Sequence, residues 1–224
     1  THTNCFHIKP EHGSRIVCIT GNMKSRGFPC DGLLTKEPYA VLTLCPADCM
    51  PIFLTTENVE FIGLLHAGWQ GVLKEIIRKA IERIWIEYAI PPSDIHVGIG
   101  PSVRECCYDN PHAIKQFEKV PPLMPFILKS NSGVKYLNLM GCVCHQLRHA
   151  KVLMEHITIA YTCTCCSKDT YGKHTFFSHR RVDKFGQEKE GRCTSYFMTS
   201  CNSFIFINCS FFLYYLDLMF TLIV

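Results

Sequence analysis

Short runs of Val, Ile, Leu and Phe separated by turn residues fill the first hundred positions, and one long helical periodicity lies among them. Residues 39–45 (YAVLTLC), 51–54, 60–65 and Ile95–Ile99 are each flanked by Pro, Asp, Asn or Gly, which predicts strands of a mostly buried sheet. Ile16–Ile19 reads the same way. Across 71–90, Val72, Leu73, Ile76, Ile77, Ala80, Ile81, Ile84 and Tyr88 recur at helical spacing. Lys74, Glu75, Arg78, Lys79, Glu82 and Arg83 fall elsewhere on the wheel, so the segment predicts an amphipathic helix. Pro91 and Pro92 stop it. A second helix is expected after Pro111 (HAIKQFEK), a third over 139–155, and a last strand at Thr194–Met198. The pattern is that of a mixed α/β or α+β domain with helices packed on sheet.

A chain of 224 residues suits one domain with an appendage, and the composition divides it at about residue 199. Residues 1–199 form the domain and 200–224 a hydrophobic extension. Within the extension, 203–224 (SFIFINCSFFLYYLDLMFTLIV) is long enough to span a bilayer, although Asn208 and Asp217 interrupt it. A tail anchor is one reading; a poorly ordered or unselected extension is the other. The net charge of +4 comes from interspersed acids and bases, so no nucleic-acid face is expected. Fifteen cysteines would suit a disulfide scaffold, but such scaffolds are small and poor in core residues, and this count is odd. Most are expected to be reduced, buried thiols of a cytoplasmic protein, with a tail-anchored membrane protein as the alternative.

Candidate chemistry concentrates in two segments, ADCMPIFL and HAGWQG. Cys49 in the first and His66 in the second each stand where a strand run meets a turn. A thiolate beside an imidazole makes either a soft metal site or a cysteine nucleophile with its base. Upstream, PEHGSRI places His12 just before another strand run. Two imidazoles and a thiolate leave a fourth position open, as a catalytic zinc requires. The three residues are far apart, and spacing alone does not distinguish ligands from packed side chains.

The ordered series HG, CDG, ADCMPIFL, HAGWQG, GIGPSVRECCYD, CTCC and FFSHRR resembles the laccase-domain or YfiH family, once filed as multicopper polyphenol oxidases and now regarded as zinc-dependent purine nucleoside phosphorylases. The resemblance runs from about His7 to Met198. It implies metal ligands at His12, Cys49 and His66 and a four-layer α/β/β/α fold, here N-terminally incomplete because the family's glycine-rich first segment has no counterpart. It implies zinc as cofactor, phosphate as co-substrate, and purine nucleosides (inosine, guanosine, adenosine, methylthioadenosine) as substrates, with adenosine deamination as a further activity. The resemblance breaks at Gln70, where Arg or Lys is usual, and at Arg104–Glu105, where Gly–Pro is usual.

Asp48 adjoins a ligand and is a candidate general base, although an Asp at a strand end also serves as a turn cap. Gly98, Gly100 and Pro101 suggest a turn whose amides receive an anion, and the resemblance places Gly100 in the pocket wall. Arg180, Arg181 and Arg192 are candidates for phosphate, since guanidinium offers a planar fork of donors, and His179 stands beside them. Cys106 and Cys107 are expected to pack against the site. Cys163, Cys165 and Cys166, with Cys142, Cys144 and His145, could form a second metal site, but buried thiols are the expected reading.

Three rivals remain. A copper site could use the same two His and one Cys with Met50 as axial ligand. A multicopper oxidase, however, needs His-x-His pairs, and the eleven histidines here include none. A metal-free hydrolase would use Cys49 as nucleophile and His66 as base, without need of His12. An inactive metal-binding remnant is the third.

Overall fold

Alternating burial along the strands builds two sheets that share one apolar layer. The computed structural model describes residues 4–186 and 191–198, with the backbone of 206–210 and 219–220. In chain order the strands are β1 (Asn4–Lys9), β2 (Ile16–Ile19), β3 (Arg26–Pro29), β4 (Gly32–Thr35), β5 (Ala40–Leu44), β6 (Met50–Thr56), β7 (Ile62–Ala67), β8 (Ile95–Ile99), β9 (Ile127–Lys129), β10 (Lys135–Leu137), β11 (Ile157–Ile159), β12 (Thr194–Met198), β13 (Phe206–Ser210) and β14 (Met219–Phe220). The helices are α1 (Trp69–Leu73), α2 (Ile76–Tyr88), α3 (Pro111–Phe117), α4 (Leu139–His149) and α5 (His179–Phe185).

One sheet runs β14-β13-β12-β5-β1-β3 and the other β11-β8-β6-β7-β4-β2, both mixed, while β9 and β10 form a separate hairpin. Between the sheets lie Phe6, Ile8, Leu42 and Leu44 from the first, and Leu33, Phe53, Ile62 and Leu64 from the second. Phe53 meets Phe197 edge-on, centroids 5.6 Å apart. The other face of the second sheet turns Ile52, Leu54 and Leu65 toward Ile77, Ala80 and Ile84 of α2 and Val143 and Leu147 of α4. Both faces of β6 are therefore buried, which explains why it reads as a continuous apolar run. Sheet, sheet and helices make three of the four expected layers among the described residues.

β2, β8 and β12 have the expected bounds. The expected helix over 71–90 is instead two, broken at Glu75, whose φ is +57°. A continuous helix would give the Val72 carbonyl to the amide of Ile76; here it accepts from the Glu75 amide at 3.0 Å and from Gln146 Nε2 at 2.8 Å. α4 stops at His149, short of the expected 155, because the amide of Val152 turns back to the Leu147 carbonyl and Lys151 takes φ +70°.

The apolar 203–224 stretch, for which a tail anchor is one of two readings, forms strands where it is described: β13 pairs antiparallel with β12, and β14 with β13. The rest of 203–224 lies outside the described residues. No helix among the described residues is long and apolar enough to cross a membrane.

α2 ends in a left-handed residue, Ala89, at φ +55°. A Cβ disfavours that conformation by roughly 1–2 kcal/mol, so Ala89→Gly is expected to stabilise the fold by about 1 kcal/mol, read as a higher urea midpoint at unchanged slope.

Candidate metal centre

His12, Cys49 and His66 reach one point from three elements. His12 sits in the turn between β1 and β2 with φ +55°, Cys49 immediately precedes β6, and His66 is the next-to-last residue of β7. β6 and β7 are antiparallel neighbours with Pro51 opposite His66, which brings Cys49 beside the histidine. The three donor atoms lie within 4.8 Å of one another, and the imidazoles of His12 and His66 meet edge-on with centroids 4.9 Å apart.

Asp31, fully buried, organises the cluster. Its Oδ1 accepts from the His12 amide at 3.0 Å and from His66 Nδ1 at 2.9 Å, and its Oδ2 from the Gly13 amide at 2.7 Å. A carboxylate can only accept, so Nδ1 of His66 carries a proton toward Asp31 and the ring turns its Nε2 to the cluster, where a metal would displace any proton it holds. Burial raises the Asp31 carboxyl, but the hydrogen bonds from His66, Gly13 and His12 outweigh it and hold it below the ordinary range. Burial likewise pushes the Cys49 thiol up, yet hydrogen bonds with His12 and His66 bring it down to about 6. His66 moves the opposite way: burial lowers it, while Asp31 and Cys49 raise it to about 9. Room is kept by Gly68, where a Cβ would stand 3.0 Å from Cys49 Sγ and 3.5 Å from the His12 ring. Two imidazole nitrogens and an acidified thiol, with open space beside them, suit a soft divalent cation.

The cluster forms part of the wall of a cavity of about 810 Å³, lined also by Trp69, Gln70, Tyr108, His179, Arg180 and Arg192. The volume lies in the range of small-molecule sites. Gln70, where the resemblance breaks, thus belongs to the pocket wall.

Several expectations change on contact with the geometry. Asp48 does not stand free as a base. Its Oδ1 accepts from Thr164 Oγ1 at 2.6 Å, and its Oδ2 from Ser178 Oγ at 3.0 Å and the Arg180 amide at 2.6 Å. With both oxygens engaged it braces the start of α5 against the metal-site strand. Arg181 is buried and spends its guanidinium on the carbonyls of Thr164, Cys165 and Phe176, so it ties the 164–181 segment together instead of meeting phosphate. Gly100 is absent from the cavity wall, and its amide bonds the Pro51 carbonyl at 2.9 Å. A Cβ there would lie 2.7 Å from the Pro51 ring, which accounts for the glycine without an anion. Arg180 lines the cavity, paired with Asp109 and Asp183, and Lys184 adds a second cation to Asp109 at 2.7 Å. Met50 is fully buried in the helix-side core, facing away from Cys49, and supplies no axial ligand for copper.

The thiols also regroup. Cys142 is buried inside α4 and packs in the core, apart from any cluster. Cys163 and Cys166 instead meet Cys106 and Cys107, with all four sulfurs within 4.8 Å of one another. This four-cysteine cluster can bind a metal. Residue spacing does not disclose that pairing or the role of Asp31, although the CDG motif carries a signal for the latter.

The sequence profile of a family described as multi-copper polyphenol oxidoreductase laccase matches residues 1–200. The chain belongs to that family. Among curated relatives, purine nucleoside phosphorylase YlmD of Geobacillus stearothermophilus is 34% identical over 184 residues, covering 76% of this chain and 64% of the relative. YlmD of Bacillus subtilis is 28% identical over 195 residues, covering 83% and 67%. Purine nucleoside phosphorylase LACC1 of Mus musculus is 26% identical over 181 residues, covering 79% and 40%. The chain thus spans about two thirds of the bacterial relatives' length and less of the mouse one. The crystal structure of YlmD from Geobacillus stearothermophilus superposes with a TM-score of 0.73 at 30% identity, over 88% of this chain and 74% of that one. That of the Bacillus licheniformis hypothetical protein YfiH gives 0.74 at 28% identity, over 87% and 73%. Despite the family's descriptive name, this member has no His-x-His pair among its eleven histidines.

Proposed function

We propose that this family member is a zinc-dependent purine nucleoside phosphorylase with its metal held by His12, Cys49 and His66. The observation that carries the reading is the convergence of those three donors, oriented by Asp31, on a cavity wide enough for a nucleoside and a phosphate. The names of the curated relatives support the substrate class. Zinc, when bound, supplies positive charge in a low-dielectric pocket and thereby favours a group that gathers negative charge.

In phosphorolysis a phosphate oxygen bonds ribose C1′ while the bond from C1′ to the purine nitrogen breaks. The purine leaves with the electron pair and is neutralised by a proton, giving ribose 1-phosphate. Arg192, exposed in the cavity wall, is the guanidinium assigned to phosphate. Arg180 positions the wall through Asp109 and Asp183. Trp69 and Tyr108 give the pocket aromatic surface for the base. His12 also separates this reading from a metal-free Cys49–His66 hydrolase, which would not call for a third donor. Adenosine deamination, with water replacing ammonia at C6, is a second activity of the same pocket.

The full chain incubated with inosine and phosphate is expected to yield hypoxanthine and ribose 1-phosphate in equal amounts. Hypoxanthine with free ribose, independent of phosphate, would show hydrolysis and overturn the assignment. Arg192→Ala is expected to raise the KM for phosphate about tenfold or more while kcat changes little, because a charge-assisted contact contributes about 1.5–3 kcal/mol.

A further inference from the structure

The proposed reaction has no use for four of the thiols. Cys106 and Cys107 lie in the loop between β8 and α3, and Cys163 and Cys166 in the loop after β11. The two loops are stitched by a bridge between Ser102 and Cys163 and by the Thr164 amide on the Ser102 carbonyl at 3.0 Å. The four sulfurs lie within 4.8 Å of one another, and those of Cys106 and Cys166 are 3.7 Å apart. Sulfurs at tetrahedral corners around zinc, with Zn–S about 2.3 Å, stand about 3.8 Å from one another. A disulfide would need about 2.05 Å. The spacing is too wide for disulfides and close enough for one ion to gather the four sulfurs.

Backbone donors are directed at one of the four sulfurs, while burial pushes the Cys106 and Cys107 thiols up. The amide of Arg104 points at Cys163 Sγ at 3.4 Å, and the amides of Cys165 and Cys166 bond the same sulfur. Cys163-Thr164-Cys165-Cys166 also has the two-residue gap that lets a turn present both sulfurs to one ion. Cys165 is not one of the four; its buried thiol lies between Ser178 and Cys107.

We propose that Cys106, Cys107, Cys163 and Cys166 form a second, structural zinc site of tetrathiolate type that locks these two loops together. On binding, four Zn–S bonds form and four thiol protons leave to solvent, with no change of oxidation state. Four protein ligands leave no open position, so the ion is structural and not catalytic. Its effect on the pocket runs through the neighbours of its ligands. Thr164 holds Asp48, and Asp109, two residues from Cys107, holds Arg180. The site therefore pins the cavity wall that faces the first metal centre.

The full chain, purified under reducing conditions, is expected to carry two zinc ions. Cys49→Ala should retain one, and a Cys106→Ser/Cys166→Ser variant should retain the other. Cobalt loaded into Cys49→Ala should show the strong thiolate charge-transfer and visible bands of a tetrahedral tetrathiolate site, which decides the matter even if the double variant does not fold. A single metal that Cys49→Ala removes, cobalt spectra without thiolate bands in that variant, or iron in place of zinc would each overturn the proposal. So would a mass measurement showing these cysteines joined as disulfides in the reduced preparation.

Discussion

Cys49→Ala is expected to empty the pocket metal site and to lower phosphate-dependent release of hypoxanthine from inosine by more than about a hundredfold. Loss of a residue that merely supports a ligand costs about 10–100-fold in metal affinity or activity, and loss of the thiolate itself removes one of only three protein donors. The substitution is structurally gentle, since Cys49 is half-buried beside open space kept by Gly68, and alanine needs less room. Unfolding should therefore change little, which separates lost chemistry from lost fold. Metal content and turnover measured on one preparation provide the check. Full turnover in a variant that has lost the metal would remove zinc from the reaction.

Asp31→Asn should reproduce much of that loss without touching a ligand. The carboxylate of Asp31 accepts three hydrogen bonds, from the amides of His12 and Gly13 and from His66 Nδ1. An asparagine of the same shape accepts through only one of its two terminal atoms. Its NH2 group must then face either the Gly13 amide or the His66 N–H, donor against donor, in a fully buried position. The histidine can escape only by moving its proton to Nε2, which takes away the lone pair meant for the metal. Zinc affinity is expected to fall about 10–100-fold, with stability lower by about 1–3 kcal/mol from the unsatisfied donor. A zinc titration against a competing chelator, alongside a urea curve, measures both. Unchanged zinc affinity would mean that His66 is not a ligand.

The elements that pattern made legible are those whose burial is simple. β8 and β12 alternate buried and half-buried positions between turn residues, and β2 is too short and uniform to misplace. α5 escaped because its sequence, HRRVDKF, has no apolar stripe. It is held by Ser178, which caps the Arg181 amide, and by Asp48, more than a hundred residues away. The same long-range contact turned Asp48 from a candidate base into a brace. Arg181 shows a second limit: its fork suits three carbonyls as well as a phosphate, and only the fold says which are present. His12, Cys49 and His66 were proposed from residue type and resemblance, and the fold brings their donor atoms together. The thiols went the other way. Cys142 and Cys144 were attractive partners for Cys163 by proximity along the chain, but a helix turned Cys142 into the core. Cys106 and Cys107 reach Cys163 and Cys166 because β8 and β11 are parallel neighbours and their following loops emerge side by side.

The most direct test of the zinc centre is an anomalous difference map collected on either side of the zinc edge from crystals of the full chain. The account predicts a zinc peak between His12 Nε2 or Nδ1, Cys49 Sγ and His66 Nε2, at bonding distance to all three. Protein that carries zinc and turns over inosine, yet shows no peak at those atoms, would contradict it.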